Sequence, residues 1–369
     1  MSDESDPAPK EPRSTERRDF LTGKLAIDSI RQHGEALADQ LMDQVAPASH
    51  GSLRLATRAM ACEFSVMLNP DAHRQVMLAS AALDLVHQVE SELTVYREDS
   101  DVIRLNQHAY QQPVCVSASL FQLFQLSMQL ASLTRGAFDL TSGPLITLWR
   151  SCRTANRIPT EEEIAELKNS VGMQLVALDE QASSIRFLDP NVTVNFGAIG
   201  KGFALDRMAD ELTRENVDSF LIHGGHSSIL ARGDHNQTGG WPVGIGNPLF
   251  PERRLGTVLL QDQAMGTSGS NVQYFRCQGR KFGHILDPRT GWPVDGTLSV
   301  TAFAPTAAEA DALSTAFYVM GEDQIQEFCA AHPGFGAIVV PFPKSGKRVQ
   351  PGLYGVDANS VFWDSEQVV

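Results

Sequence analysis

The sequence has 369 residues, 42% hydrophobic and 20% charged, which is enough for one large domain or two smaller ones with a buried core. The 30 Lys and Arg against 44 Asp and Glu give a net charge of -14, so nucleic acid is not expected as a partner. No run approaches the roughly 20 apolar residues of a membrane span. The five cysteines are scattered, which argues against zinc or disulfides, and each is predicted to be buried as a small apolar residue.

The first 18 residues are rich in Ser, Pro and charged residues, and they are predicted to be disordered. Residues 17–21 read Arg-Arg-Asp-Phe-Leu and resemble a twin-arginine export signal, but the charges in residues 22–43 are typical of an amphipathic helix. A cytoplasmic location is therefore favoured, with export through a degenerate twin-arginine signal as the alternative. The patterns predict a tail and extension over residues 1–52, one domain over residues 53–345 and a C-terminal tail over residues 346–369.

In chain order, hydrophobic spacing first predicts a strand at 62–68 and helices at 72–94 and 117–133. Two short strands at 186–188 and 192–196 then lead into a helix at 200–214. The remaining predicted elements are strands at 220–222, 229–231, 243–245, 257–260 and 298–304, helices at 307–320 and 324–331, and a strand at 337–340. Helices and strands that do not alternate one to one favour an α+β fold with antiparallel sheet over a doubly wound dinucleotide fold.

A glycine-rich segment lies between a predicted strand and a predicted helix. Residues 195–202 read Asn-Phe-Gly-Ala-Ile-Gly-Lys-Gly, so the backbone can approach a ligand closely and the helix start offers free N–H groups to a phosphate. Lys201 would add a positive charge. For a glycine-rich segment taken alone, a tight turn with a solvated lysine is the commoner interpretation. The segment matches neither the Walker nor the G-x-G-x-x-G spacing.

Asp311 and Thr315 are four residues apart in a predicted helix and therefore share one face. A carboxylate and a hydroxyl are hard oxygen ligands that suit magnesium, which takes its other ligands from water and phosphate. Such a pair is also commonly a solvent-facing or capping pair. The apolar neighbours Ala310, Ala312 and Ala316 favour a partly buried position.

Residues 284–293 read His-Ile-Leu-Asp-Pro-Arg-Thr-Gly-Trp-Pro, a rigid turn that holds an imidazole, an acid and an arginine. Pairing of Asp287 with Arg289 inside the turn would explain the same composition. Two further segments, Gly136-Ala137-Phe138-Asp139 and the stretch around Tyr96, place an aromatic beside polar groups. A flavin or adenine ring can stack on such aromatics, although aromatics near turns are usually core anchors.

Taken in order, these segments resemble the ApbE family of FAD:protein FMN transferases over about residues 53–340. Residues 60–64, Met-Ala-Cys-Glu-Phe, resemble the opening strand motif of the family. The other motifs correspond to residues 136–139, 195–201, 267–269, 284–291 and 310–316. The resemblance implies an α+β, T-fold-like single large domain with antiparallel sheets flanked by helices.

The resemblance also implies a reaction: FMN passes from FAD to a Thr or Ser hydroxyl of a client flavoprotein, AMP is released, and Mg²⁺ assists. Any membrane association would come through the client. The residues implied to line the FAD site are Met60, Tyr96, Ala137, Phe138, Asp139, Asn195, Lys201, His284, Ile285 and Leu286. The implied ligands of the ion are Asp311, Thr315 and the carbonyl of Ala198, and the implied catalytic residues are Lys201, His284 and Asp287.

Three positions depart from the family pattern. Asn195 stands where an acid is common, Ser270-Asn271 follows Thr-Ser-Gly where an Asp is common, and residues 225–228 replace a Gly-Gly-Asp. Two alternatives therefore stay open: an FAD-binding protein without transferase activity, and an FAD pyrophosphatase that yields FMN and AMP. A redox flavoenzyme is less expected because the sequence has no Rossmann fingerprint.

Overall fold

The computed structural model describes residues 51–269, 274–344 and 346–368. Its helices are α1 (Val76–Leu93), α2 (Asp101–His108), α3 (Ala118–Leu133), α4 (Gly143–Thr154), α5 (Glu161–Lys168), α6 (Gly200–Arg214), α7 (Ala307–Met320) and α8 (Glu322–Ala331). Its strands are β1 (Leu53–Ala59), β2 (Cys62–Leu68), β3 (Val114–Cys115), β4 (Val176–Asp179), β5 (Ser184–Phe187), β6 (Phe220–Gly224), β7 (Ser228–Arg232), β8 (Trp241–Gly246), β9 (Arg254–Leu260), β10 (Ala264–Gly269), β11 (Tyr274–Cys277), β12 (Arg280–Gly283), β13 (Thr297–Ala304), β14 (Gly336–Pro341), β15 (Gly352–Tyr354) and β16 (Val361–Trp363). The predicted N-terminal tail, the segment at 22–43 and Ser270-Asn271 lie outside these ranges.

Within the described residues, eight strands form one antiparallel sheet in the order β1-β2-β6-β7-β10-β13-β14-β15. Both faces of this sheet are covered. Successive side chains along a strand point to opposite faces, so a strand can contribute to two cores. Ile222 and Leu230 join the main core beneath α1, α6 and α7. Their neighbours Leu221 and Ile229 join a second core, which is shared with the three-stranded sheet β16-β9-β8.

Most predicted elements are confirmed, and the predicted helices at 200–214 and 307–320 match α6 and α7 end to end. The predicted strand at 192–196 is wrong. Val194 exchanges hydrogen bonds of 2.8 Å and 3.1 Å with the Asn106 side chain, so its backbone is satisfied outside any sheet. The sequence patterns also missed α2, α4 and α5, although Thr160 and Glu163 form a capping box that marks the start of α5.

The predicted C-terminal tail contributes two strands: β15 pairs with β14, and β16 pairs with β9. Cys152, Cys277 and Cys329 are buried as predicted, whereas Cys62 is half-buried. The prediction is wrong for Cys115, which is exposed because strand alternation turns Val114 inward and Cys115 outward. In the described part of the chain, no helix combines the length and apolar character that crossing a membrane requires.

Candidate active site

Asp311 lies at the centre of the candidate site, in α7, and is 5% exposed. Its Oδ2 accepts a 2.7 Å hydrogen bond from the backbone N–H of Gly202 in α6, and its Oδ1 accepts one of 2.5 Å from the Ser228 hydroxyl in β7. The Lys201 ammonium lies 3.7 Å from Oδ2. Two elements, α6 and β7, therefore orient the buried carboxylate of α7. Hydrogen bonds to a charged group are strong enough to fix its orientation.

Two glycines allow the close packing that brings these groups together. A side chain at Gly202 would collide with the carbonyl oxygen of Ala307, and one at Gly266 would collide with that of Ala310. The start of α7 therefore lies directly against α6 on one side and β10 on the other. Asp206 in α6 reinforces this contact, since its carboxylate oxygens accept 2.7 Å and 2.8 Å hydrogen bonds from the N–H groups of Ala307 and Ala308.

A group of hydroxyls extends from Asp311 along the face of α7 that packs against β10. The Ser268 hydroxyl lies 2.8 Å from that of Ser314 and 3.3 Å from that of Thr315. The Thr315 hydroxyl is also 3.5 Å from the Asp311 carbonyl oxygen, which confirms that Asp311 and Thr315 share a helix face. The hydroxyls of Ser268, Ser314 and Thr315 thus form one group, close to the backbone carbonyl of Asp311.

The glycine-rich segment forms a turn that ends where α6 begins, as predicted from its sequence. Asn195 closes this turn, because its Oδ1 accepts a 2.8 Å hydrogen bond from the Gly197 N–H and its own N–H donates to the Leu140 carbonyl at 2.9 Å. A carboxylate oxygen at position 195 would accept the same bond. The half-buried Ala198 follows in the turn, directly before Ile199 and the first residue of α6.

The segment around Asp139 lies against this turn through Leu140. Ala137 and Phe138 are buried in the main core, at 1% and 2% exposure. The Asp139 carboxylate accepts hydrogen bonds from the N–H and hydroxyl of Thr141, at 2.8 Å and 2.5 Å, and from the Met173 N–H at 3.1 Å. Burial raises the pKa of the Asp139 carboxyl, and these hydrogen bonds oppose that rise. Asp139 therefore links its own loop to the segment that contains Met173.

The turn at 284–293 is held internally, as the Asp-Arg interpretation of its sequence predicted. The Asp287 carboxylate accepts 2.9 Å and 3.0 Å hydrogen bonds from the Nε and Nη2 groups of Arg289, and the Trp149 indole N–H donates to the Gly291 carbonyl at 2.8 Å. The aliphatic part of Arg289 lies close to Gly136. This contact brings the turn against the 136–139 segment. His284 is exposed, Leu286 is half-buried and Ile285 is buried.

Met60 and Tyr96 occupy less enclosed positions. Met60 and Ala61 form the two-residue turn between β1 and β2, with φ of 49° and 59°. The Met60 N–H donates a 2.6 Å hydrogen bond to the Glu90 carboxylate. Tyr96, in the loop after α1, is 71% exposed, which leaves its ring open to a ligand or a partner. The contribution of both residues to an FAD site stays a prediction.

The oxygen atoms around Asp311 fit a hard divalent cation. The described residues contain no cluster of three or more His, Cys, Asp and Glu, so a metal site here would combine one carboxylate with hydroxyl and carbonyl oxygens. Magnesium is bound in this way when water and phosphate oxygens complete its octahedron. The Asp311 carboxylate keeps lone pairs beyond the two that Gly202 and Ser228 use. The assignment of Ala198 and Thr315 as further ligands stays a prediction.

Sequence reasoning missed the parts that Gly202, Ser228 and Asp206 play. The sequence pattern predicts that Gly202 lets a ligand approach the backbone, whereas in the structure it allows contact between two helices. Ser228 stood out only as a departure from the family pattern. No local signal could have linked it to Asp311, because the two residues are 83 positions apart.

Comparison with known proteins identifies the family of this chain. The model of the ApbE family matches residues 60–339. The chain is 33% identical to the FAD:protein FMN transferase of Klebsiella pneumoniae strain 342 over 256 residues, covering 69% of this chain and 78% of that protein. It is 30% identical to the protein of the same name from Escherichia coli K12 over 264 residues, covering 70% and 75% of the two chains.

Solved structures of ApbE proteins have a similar fold. The ApbE protein of Thermotoga maritima superposes with a TM-score of 0.70 at 28% identity, over 79% of this chain and 94% of that one. The flavin transferase ApbE of Vibrio cholerae superposes with a TM-score of 0.70 at 25% identity, over 82% and 97%. The fold and the matched motifs thus define a transferase class. The chain belongs to the ApbE family, which confirms the family and the α+β fold predicted from the sequence.

Proposed function

We propose that this protein transfers the FMN half of FAD to a Thr or Ser hydroxyl of a client flavoprotein, with release of AMP and with Mg²⁺ as its ion. The observation that carries the proposal is the buried carboxylate of Asp311, which receives hydrogen bonds from α6 and β7 and lies beside a group of hydroxyls. The match to the ApbE family, and to relatives named FAD:protein FMN transferase, supports the same reaction here.

In this reaction the acceptor hydroxyl oxygen attacks the phosphorus of the FMN half of FAD. A new P–O bond forms, the pyrophosphate bond to the AMP half breaks, and the hydroxyl proton leaves to a base or to water. Such transfers depend mainly on positioning and on neutralisation of phosphate charge, with little covalent chemistry for the protein to perform. When bound, the ion would neutralise charge on the phosphate oxygens.

The residues of the chain have separate tasks in this proposal. Asp311 and Thr315, with the carbonyl of Ala198, would hold the ion, and Lys201, whose ammonium lies 3.7 Å from the Asp311 carboxylate, would add a positive charge. The start of α6 would attract a phosphate through its helix dipole, since the N–H groups of Gly197 and Gly202 already donate within the protein. His284, which is exposed, is the proposed base or proton relay. Asp287 acts through Arg289, because both of its oxygens bind that guanidinium.

The first test is the intact mass of an acceptor protein carrying an Asp-Gly-Ala-Thr segment after incubation with this protein, FAD and Mg²⁺. The expected result is a mass gain equal to one FMN phosphoester together with released AMP, and no gain when a chelator is present. Asp311→Asn keeps the shape of the side chain but removes its charge, so we expect it to lower the transfer rate by about 100-fold or more while the chain stays folded.

Other outcomes would replace the proposal. Steady release of AMP without an acceptor would identify an FAD pyrophosphatase. Bound FAD without either product, across several acceptor sequences, would identify a flavin-binding protein. Unchanged transfer by Asp311→Asn would exclude the ion site described above.

A further inference from the structure

Ser268, in β10, contacts the candidate ion ligand Thr315. The Ser268 hydroxyl lies 3.3 Å from the Thr315 hydroxyl and 2.8 Å from the Ser314 hydroxyl. Ser314 is 2% exposed, and Ser268 and Thr315 are half-buried. Three hydroxyls therefore lie together between β10 and α7. A hydroxyl has one proton to donate, so the direction of each proton in this group determines which oxygens can still accept.

The packing of α7 on β10 brings these hydroxyls together. Gly266 and Ser268 lie on the same face of β10, since side chains two positions apart in a strand point the same way. Gly266 lets the Ala310 carbonyl of α7 approach, and Ser268 contacts Ser314 and Thr315 about one helical turn further along. Two strand residues span about 6.6 Å and four helix residues about 6 Å, so the strand and the helix stay in register over this contact.

The carbonyl of Asp311 fixes the direction of the first proton. The Ser314 hydroxyl lies 2.8 Å from this carbonyl oxygen, which can only accept, so Ser314 donates its one proton there. Ser314 must then be the acceptor in its 2.8 Å contact with Ser268. The Ser268 proton is therefore directed to Ser314 and is not available to Thr315.

The direction of the Thr315 proton follows from the same count. Because Ser268 donates to Ser314, the 3.3 Å contact between the Ser268 and Thr315 hydroxyls requires Thr315 to be the donor. The Asp311 carbonyl is a second acceptor, at 3.5 Å, but it already accepts from the Ser314 hydroxyl and from the helical N–H of Thr315. Both of its lone pairs are then used, so Ser268 is the better acceptor.

This order of protons directs the Thr315 proton to Ser268 and leaves the lone pairs of the Thr315 oxygen to bind a cation. A hydroxyl binds a metal ion through a lone pair, and the ion would repel a proton that faced it. A group that orients a metal ligand in this way commonly strengthens the site, as carboxylates and carbonyls do for histidine ligands. Ser228 orients the Asp311 carboxylate by a comparable hydrogen bond.

We propose that Ser268 is a positioning residue for the ion site: it accepts the proton of Thr315 and so keeps the lone pairs of that hydroxyl available to Mg²⁺. This inference rests on the proposed function, because it takes Thr315 as a ligand of the ion. It adds a residue of β10 that acts through Thr315. Loss of the Ser268 hydroxyl should therefore matter only while Thr315 keeps its own.

The test measures Mg²⁺ binding to the full protein by titration calorimetry, with and without FAD and without an acceptor, and it measures transfer separately by mass. We expect Ser268→Ala to weaken Mg²⁺ binding about tenfold, since loss of a group that orients a metal ligand commonly has an effect of this size. Ser268→Thr keeps a hydroxyl at the same position and should bind Mg²⁺ nearly as tightly as the unmodified protein.

A double-mutant cycle separates this role from a merely structural one. Thr315→Val removes the hydroxyl but keeps the shape of the side chain, and by itself it should weaken Mg²⁺ binding. Adding Ser268→Ala to Thr315→Val should then change the Mg²⁺ affinity by less than about twofold. Ser268→Cys is close in size but accepts hydrogen bonds weakly, and it replaces Ser268→Ala in the cycle if that variant loses its circular dichroism signature.

Thr301→Val is the matched control. Thr301 is 4% exposed in the neighbouring strand β13, and its hydroxyl lies 2.9 Å from that of Thr267. Thr267 and Ser268 are adjacent in β10, so their side chains point to opposite faces of the sheet. The control therefore removes a hydrogen bond of the same kind on the other face, and the Mg²⁺ affinity should stay unaltered.

The outcomes separate this inference from the proposed function. Weaker Mg²⁺ binding in Ser268→Ala that disappears in the Thr315→Val background supports the positioning role, even if no acceptor is modified, a result that would overturn only the proposed function. Unaltered Mg²⁺ affinity in Ser268→Ala, or an equal loss with and without the Thr315 hydroxyl, would overturn the positioning role and leave transfer standing. Failure of the unmodified protein to bind Mg²⁺ would overturn both.

Discussion

The backbone N–H of Gly202 and the Asp311 carboxylate are joined by a 2.7 Å hydrogen bond across 109 positions of sequence. The bond forms because α6 and α7 touch where Gly202 has no side chain. One position therefore serves both the packing of two helices and the orientation of the carboxylate on which the proposed reaction depends.

Gly202→Ala should separate these two helices. The added methyl group would collide with the Ala307 carbonyl oxygen, so we expect the free energy of unfolding to fall by about 3 kcal/mol and transfer to be lost with it. Urea unfolding measures the first effect. Gly246→Ala is the matched control, since nothing lies within 4 Å of its added atom, and it should cost less than about 0.5 kcal/mol. Equal effects of the two changes would contradict the packing argument.

Ser228→Ala should weaken the ion site without unfolding the chain. It removes the hydroxyl that donates to Oδ1 of Asp311, so the carboxylate is held by fewer contacts, and Mg²⁺ affinity should fall about tenfold. Magnesium titration followed by calorimetry and by transfer rate would show the change. Ser127→Ala removes another buried hydroxyl, one that donates to the Leu123 carbonyl in α3, and should leave Mg²⁺ affinity unaltered. Unaltered affinity in Ser228→Ala as well would mean that the hydroxyl has no part in the site.

Asp287 and Arg289 should behave as one unit. Because the carboxylate binds the guanidinium through two hydrogen bonds, Asp287→Asn and Arg289→Met should each lower kcat/KM, and the double variant should add little to either. The pH profile of kcat/KM should keep its shape in Asp287→Asn. Loss of one limb of that profile, together with additive effects in the double variant, would instead make Asp287 the base.

Ala61→Gly should stabilise the protein. Ala61 has φ of 59°, a conformation that costs a residue with a side chain roughly 1 kcal/mol and costs glycine nothing. We expect a rise in Tm of about 2 °C. Ala59→Gly makes the same chemical change in strand β1, where extended backbone gives no such relief, and should lower Tm. A fall in Tm for both variants would show that the turn stores no strain.

His223 should make stability depend on pH. Its Nε2 is buried without a hydrogen-bond partner in the described residues, and burial lowers its pKa from 6.5 to about 3. The folded state therefore binds fewer protons than the unfolded state between these values, so its contribution is complete above pH 6.5 and is lost as pH falls towards 3. The free energy of unfolding, measured at pH 6.5 and 4.5, should fall by about 2 kcal/mol, and this loss should be absent in His223→Gln. The same loss in the variant would assign it to other groups.

Local sequence patterns were sufficient to predict the elements with strong periodicity and the family. Helices α6 and α7 and strand β2 were predicted with the observed bounds, because their apolar spacing coincides with burial on one face. The ordered motifs sufficed for the ApbE family, and the four-residue spacing sufficed to place Asp311 and Thr315 on one helix face. The strand predicted at residues 192–196 is wrong. The alternating residues Val192, Val194 and Phe196 are buried there, but they do not form a strand.

Which side chains contact one another depends on the three-dimensional packing of the whole chain. The contacts of Asp311 with Gly202, Ser228 and Lys201 and the contact of Arg289 with Gly136 join segments that no local rule connects. Their geometry depends on how helices and sheet pack, which is a property of the whole core. Sequence spacing fixes what lies on one element, whereas chemistry between elements follows from long-range packing.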